Sequence, residues 1–359
     1  MKGVLLHGGH GTRLRPLTHT GPKQLIPVAG KPISQFCLEE MRAAGITEIA
    51  VILGSLAPEK VREYYGDGSR IGLKIHYIDQ GEPRGLAHAV YLAKEFIQND
   101  RFVVYLGDNL LKGGISEAAA EFALSDSDAM ILLSEVKEPE RFGVAKFDEQ
   151  GKLEALIEKP KQPPSRFALV GVYFFAPVIF EAIAELKPSW RGELEITEAI
   201  QALLASGRKV QHKFVKGWWK DTGTVQDIIE ANRLILDDRL HDSDIRGHVE
   251  EGAVVEGRVR LEEGARVEKN ATVRGPASIG KNTVIGNGTY VAPYTSIGSS
   301  CEIMGCEVEN SIIMDRCKIK APLRIVDSLI GPETEISSML TSKPKGYKLI
   351  LGERSTIIL

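Results

Sequence analysis

From the N-terminus to about Asp238, short runs of Val, Ile, Leu and Phe alternate with stretches in which apolar residues recur every three or four positions. The short runs predict strands at Val4–Leu6, Glu48–Leu53, Lys74–Ile78, Phe102–Leu106, Ala129–Ser134 and Val170–Phe175. The stretches between them predict helices. In Lys31–Ala44 the residues Ile33, Phe36, Cys37, Glu40 and Met41 share one stripe, and Gly45 stands where a helix end needs a left-handed residue. Pro58 is placed to open the next helix, because its fixed φ suits a first helical turn, and a third is predicted over Gly85–Ile97. Such alternation predicts an α/β domain on a mostly parallel sheet. Ligands of such sheets bind beyond the carboxyl ends of the strands, here in the loops after Leu6, Ile78 and Leu106.

Near Asp244 the period changes to six. Val249, Val255, Leu261, Val267, Val273, Ile279, Ile285, Val291, Ile297 and Ile303 stand in unbroken register. At an apolar content of 43%, a chance run of that length in a given register has a frequency of about two in ten thousand. Two positions earlier the residue is usually small (Gly247, Ala253, Ala265, Ala271, Ala277, Thr283, Thr289, Thr295, Cys301), with Val259 the exception. These are hexapeptide repeats, the pattern of a left-handed parallel β-helix in which three hexads make one triangular coil. The register slips after Ile303 and returns at Ile313, Ile319 and Ile325, at Ile330 and Ile336, and at Leu351 and Ile357. The slips are expected to be loops, or a helix crossing the end of the prism. The predicted domains are therefore residues 1–240 and 241–359.

Lys and Arg together number 45 against 48 Asp and Glu, so no excess of positive charge points to nucleic acid. The apolar runs are too short for a signal peptide or a membrane span, and a cytoplasmic protein is expected. Cys37, Cys301, Cys306 and Cys317 form no CxxC pair and are expected to be small core residues.

The loop after the first strand reads His7-Gly8-Gly9-His10-Gly11-Thr12-Arg13-Leu14. Its glycines leave backbone N–H groups free for phosphate oxygens, and Arg13 adds a forked cationic donor. A Walker A loop would need Gly-Lys-Ser/Thr after four spacers, and a dinucleotide fingerprint from Gly9 would need Gly at position 14; neither is met. A glycine cluster alone is also compatible with a plain tight turn.

With the residues that follow, GGHGTRLRPLT (8–18), PKQLIPV (22–28) and GKPI (30–33), the chain resembles the sugar-phosphate nucleotidylyltransferases. The resemblance continues through QGEPRGLAHA, YLGDN, RFGV, IEKP, LVGVYFF, RGELEITEAI and WWKDTGT. The GLA and RGELEIT segments are most similar to glucose-1-phosphate thymidylyltransferases, and the appended β-helix resembles their longer form. The resemblance implies a Rossmann-like mixed, mostly parallel sheet followed by an all-β left-handed β-helix. It also implies in-line attack of a sugar 1-phosphate, here glucose 1-phosphate, on the α-phosphorus of dTTP, with pyrophosphate leaving; uridylyl transfer from UTP to glucose or amino-sugar 1-phosphates is the alternative. Two anions meet in that reaction, so it calls for a cationic site. On this resemblance Arg13 holds the triphosphate, Lys23 neutralises the α-phosphate, and Asp108 and Asp221 hold Mg²⁺. Gly8, Gly9, Gly11, Thr12 and Gln24 line the nucleotide, and Gln80 and Gly85 grip the pyrimidine. Asn109, Gly143, Glu158, Lys159 and Val170 hold the sugar, with Lys159 at its phosphate. Without the family match, Asp108 also fits a helix N-cap, Asp221 a turn, Gln80 a surface strand end and Glu158-Lys159 a solvated one.

His7 departs from the family's small residue at its position, and turning into the core is its expected fate; His10 and His88 are assigned no role. Two other function classes fit the architecture. A noncatalytic sensor is expected to lose charged positions that are all retained here. An acyltransferase is expected to place a histidine on the β-helix, yet no histidine follows His248. The β-helix is thus expected to serve structure, regulation or assembly into a homo-oligomer.

Overall fold

The computed structural model describes residues 1–9, 11–338 and 354–356, and its chain divides into two units. The first comprises Met1–His10, Thr20–Leu25 and Ile33–Asp221; the second comprises Gly11–His19, Ile26–Pro32 and Thr222–Leu359.

The first unit is built on a mixed sheet. Lys2–His7 lies between Glu48–Leu53 and Phe102–Leu106, parallel to both, and Lys74–Asp79 extends the parallel part beyond Glu48–Leu53. The first three of these strands are buried on both faces, which explains their continuous apolar runs, while Lys74–Asp79 is largely half-buried. Phe167–Phe175 then runs antiparallel to Phe102–Leu106, pairs at Ala168 on that same side with Gly143–Phe147, and pairs along its other side with Ala129–Glu135. Leu153–Glu158 closes one edge against Gly143–Phe147, and Val210–Phe214 lies parallel to Ala129–Glu135. The predicted strands are all present, within three residues at either end. The pair Gly143–Phe147 and Leu153–Glu158 was not predicted, being short and mixed in burial, with no continuous apolar run and no strict alternation.

The helix expected over 31–44 spans Ile33–Ala43, because Lys31–Pro32 instead pairs with Pro27–Val28. Pro58 opens Pro58–Tyr65 as expected, and the predicted Gly85–Ile97 is two shorter helices, Leu86–Tyr91 and Lys94–Ile97. Two apolar clusters form the core, one containing Phe102, Phe175 and Phe180 and the other Tyr105, Phe122 and Phe174.

The second unit contains three parallel sheets of very short strands, the flat sides of the left-handed β-helix. One side stacks Val249, Val267, Ile285, Ile303, Ile319 and Ile336; the next stacks Val255, Val273, Val291, Val308 and Ile325; the third runs from Ile245 through Leu261, Ile279, Ile297 and Ile313 to Ile330. From Val249 to Ile336 their side chains fill the prism, while Ile245, at its start, is exposed. Thr283 Oγ1 donates to the Gly298 carbonyl at 2.6 Å and Thr289 Oγ1 to that of Ile303 at 3.0 Å, so the buried hydroxyls of the small-residue column tie one coil to the next.

The slips between Ile303 and Ile313 and between Ile325 and Ile330 are neither loops nor a crossing helix, and the one between Ile336 and Leu351 falls largely outside the described residues. The column continues through Val308, and the steps 303–308, 308–313 and 325–330 are corners shortened to five residues. Each turns on one left-handed residue (Gly305, Asn310 or Asp327) two places after the aliphatic, where most six-residue corners place it three after. Leu351 and Ile357 lie outside the described residues. All four cysteines are buried, and no helix among the described residues is long and apolar enough to cross a membrane.

The helix Val225–Arg239 also belongs to this unit, capped by Thr224 Oγ1, which accepts from the Asp227 N–H. From it the fully buried Asn232 reaches three partners: its Oδ1 accepts from the Ala29 N–H at 2.8 Å and from Ser296 Oγ at 2.7 Å, and its Nδ2 donates to the Tyr294 carbonyl at 2.8 Å.

Candidate active site

Asp108 follows Phe102–Leu106 at its carboxyl end, where the strand order predicts ligands. Lys23, from a single helical turn 85 residues earlier, donates to Asp108 Oδ2, and Asn109 Nδ2 donates to Oδ1 at 2.8 Å. Burial pushes the Asp108 carboxyl up, but the Lys23 ammonium and the hydrogen bonds from Lys23 and Asn109 outweigh it and hold its pKa below the ordinary carboxylate value. The carboxylate is thus charged and already matched to a cation.

Asp221 reaches the same place through a short antiparallel pair, Asn109–Leu111 with Trp219–Asp221, whose register sets Asp221 opposite Asn109. Asn109 is the hub. Its Oδ1 accepts from Trp219 Nε1 at 2.7 Å and from the Gly171 N–H at 3.2 Å, while its Nδ2 serves Asp108. Asn109, expected at the sugar, is therefore 3% exposed and spends this carboxamide on neighbouring protein groups.

Gly171 lies in an irregularity of Phe167–Phe175, where the pairing with Ala129–Glu135 jumps between Leu169 and Tyr173. That break lifts the backbone around Val170 out of one ladder. Tyr173 is buried just beyond it, and its hydroxyl pKa is raised by burial first and then by the charges of Glu158, Asp108 and Asp221. Three carboxylates separated by up to 113 positions in the chain thus converge around one phenol.

Glu158 ends its strand in register with Gly143. Its Oε2 accepts from Thr197 Oγ1 at 2.6 Å, and its Oε1 lies 3.6 Å from Lys159 Nζ and 3.8 Å from Arg191. A Cβ on Gly143 would stand 2.8 Å from Thr197 Oγ1 and 3.1 Å from Glu158 Oε2, so glycine keeps this corner open. Arg191 also pairs with Glu193 and with the buried Glu195. Neither Tyr173 nor Arg191 was singled out in the sequence, although both stand inside quoted motifs; a buried strand tyrosine reads as core until its neighbours are known.

At the glycine loop, Gln24 Nε2 donates to the Gly8 carbonyl at 2.6 Å. Gln80, whose N–H donates to the Leu53 carbonyl at 2.8 Å, comes so near that a Cβ on Gly8 would stand 2.7 Å from its Oε1. Gly9, Gly54, Ser55, Gln80, Gly81 and Pro83 line one small cleft. Gly85 has φ 106°, and a Cβ there would stand 2.4 Å from the Leu194 carbonyl oxygen. Only glycine lets the loop after Gln80 lie against the Arg191–Glu195 segment. Gly11, Thr12 and Arg13 belong to the second unit. Gly11 precedes the turn Thr12–Leu14 and accepts from Thr18 Oγ1 at 2.7 Å, and Arg13 is exposed with no ion pair among the described residues. His7 is turned into the core, and His10 lies outside the described residues.

The sequence matches the family model described as nucleotidyl transferase over residues 2–238 and that of the GMPPB C-terminal domain over 273–357. It is 53% identical to the low-salt glycan biosynthesis nucleotidyltransferase Agl11 of Haloferax volcanii, over 99% of both chains. It is 46% identical to a glucose-1-phosphate thymidylyltransferase of Streptomyces antibioticus, again over 99% of both. With a UTP–glucose-1-phosphate uridylyltransferase, AglF of Haloferax volcanii, it shares 37% identity over 66% of this chain and 98% of the other. A strand-end carboxylate bonded to the lysine of PKQL is thus part of a chain that belongs to the nucleotidyl transferase family and carries a C-terminal β-helix.

Proposed function

We propose that this sugar-phosphate nucleotidyltransferase moves a thymidylyl group from dTTP to glucose 1-phosphate, forming dTDP-glucose and pyrophosphate. The observation that carries the reading is the cluster of Lys23, Asp108 and Asp221 at the end of Phe102–Leu106. One cation and two carboxylates are the charges that a metal triphosphate calls for, and this supports the reading.

Phosphoryl transfer of this kind asks the protein for position and charge, not for a covalent nucleophile. Lys23 meets the charge that grows on the α-phosphate, and the exposed, forked Arg13 holds the β- and γ-phosphates that leave as pyrophosphate. The backbone of Gly8, Gly9, Gly11 and Thr12 surrounds the phosphates and Gln24 braces the loop from below. Gln80 and the backbone at Gly85 read the pyrimidine edge. Glu158 accepts from sugar hydroxyls beside Gly143 and Asn109 and the backbone at Val170, while Lys159 pairs with the sugar phosphate.

The donors also suit Mg²⁺. Asp108 and Asp221 offer hard oxygens, and no group of three His, Cys, Asp or Glu among the described residues forms a closed metal cage. Two carboxylates with phosphate oxygens completing the shell is the mode this ion favours. When bound, Mg²⁺ would supply neutralisation of phosphate charge.

A second reading, uridylyl transfer, is favoured by the likeness to AglF. The thymine methyl distinguishes the two nucleotides by only ~1–3 kcal/mol in an apolar pocket. Pyrophosphate release across four nucleoside triphosphates and several sugar 1-phosphates tests both: the highest kcat/KM with dTTP and glucose 1-phosphate supports the first, and a preference for UTP replaces it with the second. The same reading takes the chain as a cytoplasmic homo-oligomer, which light scattering of the purified protein checks.

A further inference from the structure

Behind the glycine loop, side chains from four segments close a hydrogen-bonded ring. His7, at the end of Lys2–His7, places Nε2 3.1 Å from Ser34 Oγ. Ser34, in the first turn of Ile33–Ala43, donates to the Gln24 carbonyl at 3.0 Å. Gln24 Nε2 reaches back to the carbonyl of Gly8, the residue covalently next to His7. Tyr65, at the end of Pro58–Tyr65, places its hydroxyl 2.7 Å from Ser34 Oγ. All four side chains are at most 3% exposed.

The donors follow from counting protons. Ser34 has one hydroxyl proton, and it goes to the Gln24 carbonyl, a group that can only accept. The Tyr65 hydroxyl and the His7 Nε2–H must then both donate to Ser34 Oγ. The imidazole is therefore a neutral Nε2–H tautomer, in keeping with the burial that lowers its pKa to about 4. His7 Nδ1 is left as a bare acceptor, and so is Gln24 Oε1; both are buried without a hydrogen-bond partner among the described residues. A packing histidine in a satisfied core has no such deficit. Unpaired buried polar atoms lower the stability of the free chain and concentrate where function maintains them.

We propose that His7 is a positioning residue for the nucleotide. Through Ser34 it fixes Gln24, and through the chain and Gln24 together it fixes the Gly8 peptide, the first of the glycine loop. The ring also holds the Lys23–Gln24 segment, whose lysine donates to Asp108. This rests on reading the glycine loop and Gln24 as the nucleotide site. The imidazole never touches the reacting atoms. Its effect belongs to nucleotide binding and leaves sugar binding alone.

The test uses the full chain with three substitutions. His7→Leu keeps bulk and removes the donor, His7→Gln restores an N–H near the Nε2 position, and Tyr65→Phe removes the second donor to Ser34 from the far side of the ring. KM is measured separately for dTTP and for glucose 1-phosphate, with circular dichroism to establish folding. The expected result for His7→Leu is a rise of about tenfold or more in KM for the nucleotide, with KM for the sugar phosphate within about twofold. His7→Gln should recover most of that rise, and Tyr65→Phe should move the same constant in the same direction. Equal effects on both substrates, no effect on either, or a folded His7→Gln as poor as His7→Leu overturns the proposal. If His7→Leu does not fold, the comparison of His7→Gln with Tyr65→Phe decides, and nucleotide KM unchanged in Tyr65→Phe counts against it. Calorimetric binding of dTTP to the unsubstituted chain separates the two levels: no binding there defeats the nucleotide-site reading itself, whereas tight binding that His7→Leu leaves intact defeats only the role of His7.

Discussion

Gly171→Ala puts one methyl group at the hub of the site. The new Cβ would stand 2.6 Å from both Cγ and Oδ1 of Asn109 and 2.8 Å from Leu106 Cδ1. Leu106 can rotate away, but the Asn109 carboxamide is pinned by Trp219 Nε1 at 2.7 Å and by Asp108 at 2.8 Å, so relief comes only by giving up hydrogen bonds. Overpacking of this kind costs ~1–3 kcal/mol, and each hydrogen bond lost adds ~0.5–1.5 kcal/mol. Together these give about 2–4 kcal/mol, or a fall in Tm of roughly 5–12 °C for a unit of this size. Because Asn109 also orients Asp108, kcat should fall by about 10²-fold, the cost of misplacing a group by about 1 Å. The assay is a thermal melt followed by circular dichroism, paired with pyrophosphate release from the same preparation. The double variant Gly171→Ala with Asn109→Ala removes the clash. It should melt above the sum of the two single effects by about 1 kcal/mol or more, while turnover stays low because Asp108 has lost its donor. A Gly171→Ala protein that melts and turns over like the parent, or strict additivity in the double variant, would refute the account of Asn109 as the hub.

Asp108→Asn, which removes a carboxylate charge but keeps the shape, should abolish measurable pyrophosphate release with the melting curve preserved; turnover near the parent level removes Asp108 from the proposed metal shell. Gln80→Ala should narrow the ratio of kcat/KM between dTTP and GTP more than it lowers either, and equal losses for both contradict base reading. Ile285→Asp buries an unpaired carboxylate in the prism, at a cost of several kcal/mol, and should leave the β-helix unfolded by limited proteolysis at pH 7; a protease-resistant variant contradicts the packing of that column. His7 is held near pKa 4 against an ordinary 6.5, so its neutral form contributes stability in full above pH 6.5 and loses it as pH falls toward 4, where the unfolded chain takes up the proton first. The loss amounts to about 3 kcal/mol, and urea unfolding at pH 7 and 4.5 should show a smaller drop for His7→Gln than for the parent.

What the sequence revealed depended on how local each signal was. Glu48–Leu53 and Phe102–Leu106 were legible because a strand buried on both faces is one uninterrupted apolar run. Gly143–Phe147 was not, since its Gly-Val-Ala-Lys-Phe stretch is too short and too mixed to read as an apolar run, although its first three residues are buried. The prism showed itself through strict spacing, and counting in sixes then hid Val308, because a corner can drop a residue while the aliphatic still points inward. At the site, the PKQL and GDN segments announced themselves as motifs, yet nothing local to either says that Lys23 and Asp108 meet 85 positions apart. Asp221 needed the pairing of Trp219–Asp221 with Asn109–Leu111, a matter of tertiary register. Arg191 stood in view within RGELEIT, but its closeness to Glu158 became visible only when the turn before Ile196–Ala205 was folded against the end of Leu153–Glu158.

The shortened corners also bear on which changes the module can absorb. Between Val249 and Ile303 each full circuit takes 18 residues, but Ile303 to Ile319 takes 16 and Ile319 to Ile336 takes 17. The three ladders stay in register across that change, with Ile285 on Ile303, Val291 on Val308 and Ile297 on Ile313. A residue dropped at a corner therefore leaves the stacked faces matched, whereas a residue dropped inside a strand would turn every following side chain to the opposite face. The corners are the expansion joints of the prism: chain length varies there while the aliphatic column does not.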